Sequence, residues 1–346
     1  MITTDWWIEE APLDIPFTIS RGTTTVAALP IVELHSDDGA VGYGAAGPSR
    51  YYGETADTVA TLLPELLAVV EEADDPFAID AIHRELDNVV GDNPAAKAAV
   101  DIALYDLAAK RLDVPVATLL GHETEVGIQS SYTIGIDQPA VMAERAGEAV
   151  EAGHEVLKVK LGGGSDAEAI RSVRAAAPDA TIRVDANEAW TPAQALELID
   201  HCADADVEFV EQPLPANDQH GLKRVYEQSP LPIAADESSV VASDIPRVAD
   251  RCDIVNLKLM KCGGITGALK FIHTARAHHK EIMLGCMVES TASIAAGAHL
   301  APLVDYVDLD GALLLAADPF VGDHVRPGAI ELDPAEAGLG VTRADG

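Results

Sequence analysis

The stretch Glu155–Asn187, EVLKVKLGGGSDAEAIRSVRAAAPDATIRVDAN, decides the fold. A short β-branched run ends in a glycine turn. A helical pattern follows, opening on Ser165-Asp-Ala-Glu168, a sequence of capping-box form. A second β-branched run closes the unit. Strand, helix and strand at this spacing predict two parallel strands joined by a right-handed crossover.

The same texture continues in both directions. Upstream, GIQSSYTIGI precedes a helical pattern over 138–152 that Gly153 closes. Downstream, a helix is predicted from Thr191 as N-cap and Pro192 at its first position. The runs VEFVEQP, PIAADES, DIVNLKL, EIMLGCM and YVDLDGA complete eight predicted strands. Eight alternating units predict an α/β protein built on a closed TIM-type barrel. No strand is followed by G-x-G-x-x-G or by a P-loop, which weakens a nucleotide-binding reading. Residues 1 to about 54 read as strands, with a hairpin around Asp37-Asp38-Gly39. Helical patterns at roughly 55–72, 76–90 and 94–111 follow, so the opening region is α+β.

Composition limits the partners. The chain carries 57 Asp plus Glu against 23 Lys plus Arg, a net charge of −34. That balance argues against nucleic acid and against an anionic membrane. It suits a globular protein of a high-salt, halophilic cytosol, where screening suppresses repulsion among surface carboxylates. The start of the chain has no basic segment followed by an apolar one, and its apolar runs are shorter than a membrane span. Four cysteines without C-x-x-C spacing read as reduced thiols, so a cytoplasmic location is expected. The partners expected are a small-molecule substrate and further copies of the chain in a homo-oligomer.

Charged residues mark the ends of the predicted strands. Lys160 ends the second, Asp185 the third, Glu211 the fourth, Asp236 the fifth and Lys258 the sixth, at separations of 25, 26, 25 and 22 residues. This is the period of the βα unit, so one barrel end, the C-terminal mouth where barrel enzymes hold their chemistry, receives all five. Three carboxylates without imidazole or thiolate suit a hard divalent cation, Mg²⁺ first and Mn²⁺ second.

Strand parity refines the set. Asp236 and Glu237 are expected on opposite faces, so one of them ligates directly, with Glu237 supporting. Asn187 shares a face with Asp185 and supports it. Lys158 and Lys160 both project into the mouth, where like-charge repulsion and burial are expected to lower a lysine pKa and make Lys160 a usable base. Lys258 lies across the mouth. Lys261 either faces solvent or pairs with an acid.

At KVK (158–160), VDAN (184–187), EQP (211–213), ADES (235–238) and KLMKCGG (258–264) the chain resembles the enolase superfamily, in its muconate-lactonizing subgroup. The resemblance spans nearly the whole chain. It implies an α+β capping domain over 1–123, a modified (β/α)7β barrel over 124–316 and a segment over 317–346 that returns to the capping domain. It also implies one Mg²⁺ per subunit on Asp185, Glu211 and Asp236, with Lys160 and Lys258 flanking the substrate α-carbon. The implied chemistry is proton abstraction beside a carboxylate, through a metal-stabilised enediolate.

Within the subgroup, Asp308 and Asp310 in VDLDGA resemble the Asp-x-Asp with which dipeptide epimerases capture an α-ammonium group. Two buried carboxylates without a cation would be costly, which favours that reading. The expected activity is epimerisation of an L,L-dipeptide at its C-terminal residue. N-acylamino acid racemisation, o-succinylbenzoate synthesis and muconate-type cycloisomerisation are alternatives on the same site. Lys158, Arg21 in the loop expected over the mouth, and Thr133 on the first barrel strand join the substrate-binding set. Glu289 in GCMVEST is a supporting mouth residue.

Overall fold

The computed structural model describes residues 1–124, 129–322, 324–327 and 329–344. The chain opens on an antiparallel sheet of β1 (Ile2–Ile19), β2 (Gly22–Ser36) and β3 (Val41–Ala45), in the order β1-β2-β3. The turn expected at Asp37-Asp38-Gly39 joins β2 to β3. Gly39 takes φ 90°, a conformation that favours glycine. Three helices follow, α1 (Ala56–Ala73), α2 (Ile79–Val89) and α3 (Pro94–Arg111), then the single turn α4 (Val116–Leu119). The alanine-rich α3 lies so close to β3 that a Cβ added at Gly44 would sit 2.0 Å from the Ala99 carbonyl oxygen. Only glycine admits that approach.

The second unit is the alternating one. Its elements are β4 (Tyr132–Ile134), α5 (Pro139–Glu151), β5 (Val156–Lys160), α6 (Asp166–Ala176), β6 (Thr181–Asp185), α7 (Pro192–Asp204), β7 (Val207–Glu211) and α8 (Gln219–Gln228). They continue with β8 (Ile233–Ala235), α9 (Ile245–Val248), β9 (Ile254–Lys258), α10 (Leu259–Cys262), α11 (Ile265–Ala277), β10 (Glu281–Gly285), α12 (Thr291–Ala298) and β11 (Tyr306–Asp308). The eight strands form one parallel sheet in sequence order from β4 to β11. A bridge between Ser130 and Val307 joins its two ends, with Ser131 N–H donating to Val307 O at 3.1 Å. The expected α/β barrel with an antiparallel N-terminal sheet is therefore the fold observed. Residues 127 and 128, the first of the predicted opening strand, lie outside the described residues.

Inside the barrel, the end away from the mouth is filled by Phe209, Ala234, Ile254 and Met283, with Tyr306 against them. Arg183 reaches in from β6 and stacks between the Phe209 and Tyr306 rings at 5.3 and 5.1 Å. Larger apolar clusters lie between the strands and the surrounding helices. Beyond the barrel the chain runs back over the N-terminal unit, where Leu339 N–H donates to Asp106 at 2.7 Å. Among the described residues no helix is long and apolar enough to cross a membrane.

Helix starts test the reading of local sequence. At Thr191 the capping box forms, with Gln194 as its partner and Pro192 in the first turn. At Ser165 it does not: the serine makes no side-chain cap. Asp166 does the local work instead. Its Oδ1 accepts the Gly162 and Gly163 N–H groups at 2.9 and 3.1 Å, and its Oδ2 accepts Trp190 Nε1–H at 2.8 Å. One acid thereby fixes the glycine loop after β5 to the segment after β6, which a four-residue motif does not encode.

Candidate active site at the barrel mouth

Register sets the level of the site. Lys160 pairs with Asp185, and Asp185 with Glu211, so three consecutive strands end on charged side chains at one height. Lys258 and Asp308 both lie opposite Gly285, which places them together on the far side of the ring. A Cβ on Gly285 would lie 3.1 Å from Lys258 Cε, so the small residue leaves that lysine its room. Asp236 follows the last residue of β8, where the chain turns.

The mouth is a lattice of buried ion pairs. Lys160 Nζ is 2.7 Å from Asp185 Oδ2, and Lys258 Nζ is 2.7 Å from Asp236 Oδ2. Lys158 sits deeper, 2.7 Å from Glu211, 2.8 Å from Asp308 and 3.4 Å from Asp185. Lys261, left open between solvent and an acid, is fully buried and donates to Asp236 Oδ1 at 2.6 Å.

These neighbours set the charges. Burial alone would raise Asp185, but Lys160 and Lys158 outweigh it and bring it to about 2. Asp236 is lowered in the same way by Lys258 and Lys261. Glu211 is raised, first by burial and then by the Asp185 charge. Lys158 departs from the expectation of like-charge depression. Burial would lower it, yet Asp308, Glu211 and Asp185 together hold it well above its ordinary value. The Asp236 charge likewise overcomes burial at Lys258 and raises it. At Lys158 and Lys258 the surrounding carboxylates prevail; at Lys261 burial prevails and lowers the amine.

Asp308 is not a carboxylate without a cation, contrary to the premise drawn from sequence. Lys158 neutralises it, and Ser131 Oγ–H donates to its other oxygen at 2.6 Å. Asp310 differs. It accepts the Thr133 N–H at 2.6 Å, and burial followed by the Asp308 charge raises it to about 6. Thr133 thus meets the pair through its backbone.

Arg21 does extend from the N-terminal unit to the mouth, but onto protein carboxylates. Its guanidinium is 2.7 Å from Glu237 and 3.4 Å from Glu188, and lies over the Tyr51 ring at 4.6 Å. Asn187 contributes its carbonyl oxygen to Arg21 and its amide to Asp185 Oδ2 at 3.2 Å. Glu237 is raised to about 7 by burial, Asp236 and Asp185. Glu289, buried beside Gly47, is raised to about 7 by burial and accepts Met287 N–H at 2.7 Å.

Two residues that matter here escaped the sequence reading. Asn256, two positions before Lys258 on the same strand, donates to Glu211 Oε1 at 2.6 Å. Gln212 braces the Asp236 segment, accepting the Asp236 N–H at 2.9 Å. A polar residue inside the apolar run DIVNLKL, in phase with Lys258, was the available sign of the first.

The three acids fit a divalent cation by donor chemistry, since all offer hard oxygen and each is buried. Glu211 Oε2 is buried and accepts no hydrogen bond from the protein; the Lys158 contact at 2.7 Å has the distance of an ion pair without the angle of a hydrogen bond. Among the described residues, no three acids, imidazoles or thiols are gathered tightly enough to enclose an ion, because the inward oxygens face ammonium groups. A cation here would take over those lysine contacts.

This barrel, mouth and N-terminal sheet define a class. Residues 141–345 match the model of the enolase C-terminal domain-like family, and residues 1–121 match the mandelate racemase / muconate lactonizing enzyme N-terminal domain. The chain belongs to the enolase superfamily. It is 41% identical over 340 residues to the hydrophobic dipeptide epimerase of Enterococcus faecalis, covering 94% of this chain and 95% of that protein. It is 37% identical over 328 residues to the L-Ala-D/L-Glu epimerase of Bacteroides thetaiotaomicron, covering 94% and 83%. The crystal structure of the Enterococcus faecalis dipeptide epimerase complexed with Mg and L-Leu-L-Tyr superposes with a TM-score of 0.92 at 38% identity, covering 98% of each chain.

Proposed function

We propose that this isomerase of the enolase superfamily is a Mg²⁺-dependent dipeptide epimerase. It inverts the α-carbon of the C-terminal residue of an L,L-dipeptide by proton transfer between two lysines. One relationship carries the reading. Lys160 ends β5 and Lys258 ends β9, four places apart in a ring of eight strands, so the two amines face each other across the mouth. Asp185, Glu211 and Asp236 occupy the arc between them. Asp308 and Asp310 lie on the opposite arc.

A dipeptide across this mouth directs its carboxylate toward the three acids and its ammonium toward Asp308 and Asp310. Its α-carbon then lies between the amines. Mg²⁺ held by Asp185, Glu211 and Asp236 would supply Lewis-acid stabilisation of the negative charge that develops on the substrate carboxylate. One lysine, as neutral amine, accepts the α-proton from its own face. The opposite lysine, as ammonium, returns a proton to the other face. The proton count of enzyme plus substrate is conserved, and the two lysines exchange charge states, which readies the enzyme for the reverse direction. Both amines are buried, which limits proton exchange between them and bulk water.

The experiment is incubation of L,L-dipeptides with enzyme and Mg²⁺ in D₂O. New diastereomers carrying α-deuterium are expected. A broad dipeptide library without α-exchange would sink the proposal.

The Lys158–Asp308 ion pair supports a second reading, because it already neutralises half of the Asp-x-Asp pair. An N-acylamino acid, an o-succinylbenzoate precursor or a muconate could then use the same lysines without offering an ammonium. Asp310→Asn separates the two readings: a dipeptide epimerase loses affinity for its substrate, whereas an enzyme for N-acylated or cyclising substrates retains it.

A further inference from the structure

The loops that follow β6, β7 and β8 carry or adjoin Asp185, Glu211 and Asp236, and they meet at one uncharged residue. Gln212 is completely buried and directly follows Glu211. Its backbone carbonyl accepts the Glu188 N–H at 2.9 Å, from the segment after Asp185, and its own N–H donates to Ala234 O at 2.9 Å. Its side-chain Oε1 accepts the Asp236 N–H at 2.9 Å and the Ser238 N–H at 3.2 Å. Its Nε2 donates to Leu214 O at 2.8 Å and to Ser238 Oγ at 2.9 Å. Both donor hydrogens and both acceptor sites of the amide are used, so the side chain has one orientation available.

The backbone at Gln212 has φ 35°, in the left-handed region that non-glycine residues rarely occupy. Asn187 and Glu188, across the carbonyl contact, are also left-handed at φ 41° and 68°. Unusual conformations concentrated at the junction of three acid-bearing loops point to a position held for function. From the other side, Lys261 grips the same segment through Asp236 Oδ1, Asp236 O and Ser239 O at 2.6, 2.9 and 3.1 Å. Asp236 is thus clamped between a lysine and an amide, with Oδ2 left toward the mouth.

We infer that Gln212 is a positioning residue that fixes the spacing between Glu211 and Asp236, and through it the affinity of the mouth for a divalent cation. The inference rests on the proposed assignment of those two acids as cation ligands. Gln212→Met keeps the side-chain length and volume and removes every hydrogen bond of the side-chain amide. Outer-shell partners of metal ligands typically govern affinity by ~10- to ~100-fold, and a loss in that range is expected here.

The test is Mn²⁺ titration of the full-length protein, followed by the electron paramagnetic resonance signal of free Mn²⁺, without dipeptide. Thermal unfolding of the same samples without metal is recorded alongside. A role confined to folding lowers the unfolding midpoint and leaves the Mn²⁺ Kd of the folded protein unchanged. A Kd for Gln212→Met within about twofold of the unaltered protein would overturn the inference while leaving the proposed reaction standing. Should that variant not fold, Ser238→Ala removes only the hydroxyl that anchors the amide. It is expected to weaken Mn²⁺ in the same direction by a smaller factor, and an unchanged Kd there also overturns the inference. Failure of the unaltered protein to bind Mn²⁺ overturns both the inference and the cation reading of the mouth.

Discussion

The Lys158 ammonium lies 2.8 Å from Asp308 Oδ2, joining the second strand of the barrel to the eighth over the first strand between them. The same ammonium touches Glu211 and Asp185, so one lysine serves three buried acids from three strands. Lys158→Met would leave those carboxylates facing each other. Breaking a buried pair on one side typically costs about 3–5 kcal/mol, and a loss of that size is expected in denaturant unfolding. Mg²⁺ is expected to restore more stability to this variant than to the unaltered protein, since it supplies the missing charge. Equal stabilisation by Mg²⁺ in both would contradict a cation site on these acids.

The two amines at the ends of β5 and β9 are expected to divide the reaction by face. General acid–base groups commonly contribute ~10²- to ~10⁴-fold, so Lys160→Ala and Lys258→Ala should each reduce epimerisation by at least that range. Each variant should still exchange the α-proton of only one diastereomer in D₂O, read by proton NMR. Exchange of both diastereomers in either variant would place the two amines on the same side of the substrate.

Asp310 titrates near 6, because burial and the Asp308 charge raise it. Its carboxylate is charged above that value and neutral below it. Affinity for a substrate ammonium should therefore fall as pH drops through about 6, seen as a rising KM. An N-acetylated dipeptide, which offers no ammonium, should show no such rise. Asp310→Asn should bind the free dipeptide more weakly at every pH and flatten the profile.

Glu289 gives a stability prediction. Burial raises its carboxyl from an ordinary 4.5 to about 7. Between those values the folded protein holds a proton that the unfolded chain has released, so this group makes stability fall as pH rises through the window. Above about 7 the full penalty of a buried charge remains. Glu289→Gln should therefore raise the unfolding midpoint at about pH 8 and change it little at about pH 4. The same gain at both pH values would assign the effect to packing instead.

Sequence carried the barrel because each strand stands alone as an apolar run between helical patterns, and the five in-phase charges survive any small error in strand ends. It carried the hairpin at Gly39 and the cap at Thr191 because those depend on a few adjacent residues. It could not show that Lys158 reaches past β4 to Asp308, since that contact joins residues 150 positions apart. For the same reason Lys261 stayed ambiguous: its acceptors on Asp236 and Ser239 lie 25 and 22 positions away, after the neighbouring strand β8. Ser165 misled because its backbone, at φ −112° and ψ 30°, lacks the extended conformation from which a serine hydroxyl caps a helix. Arg21 reached the mouth, but only the folded arrangement reveals Glu237 and Glu188 waiting there.

Besides the Ser130–Val307 bridge, β4 and β11 are stitched by Ser131 Oγ on Asp308, Ser130 Oγ on the Leu309 N–H, and Thr133 N–H on Asp310. The acids proposed to receive a substrate ammonium are thus also the rivets of the cylinder itself. Occupying them and keeping the cylinder shut become a single equilibrium, so a ligand that draws on those carboxylates also tunes how readily the wall parts along that line.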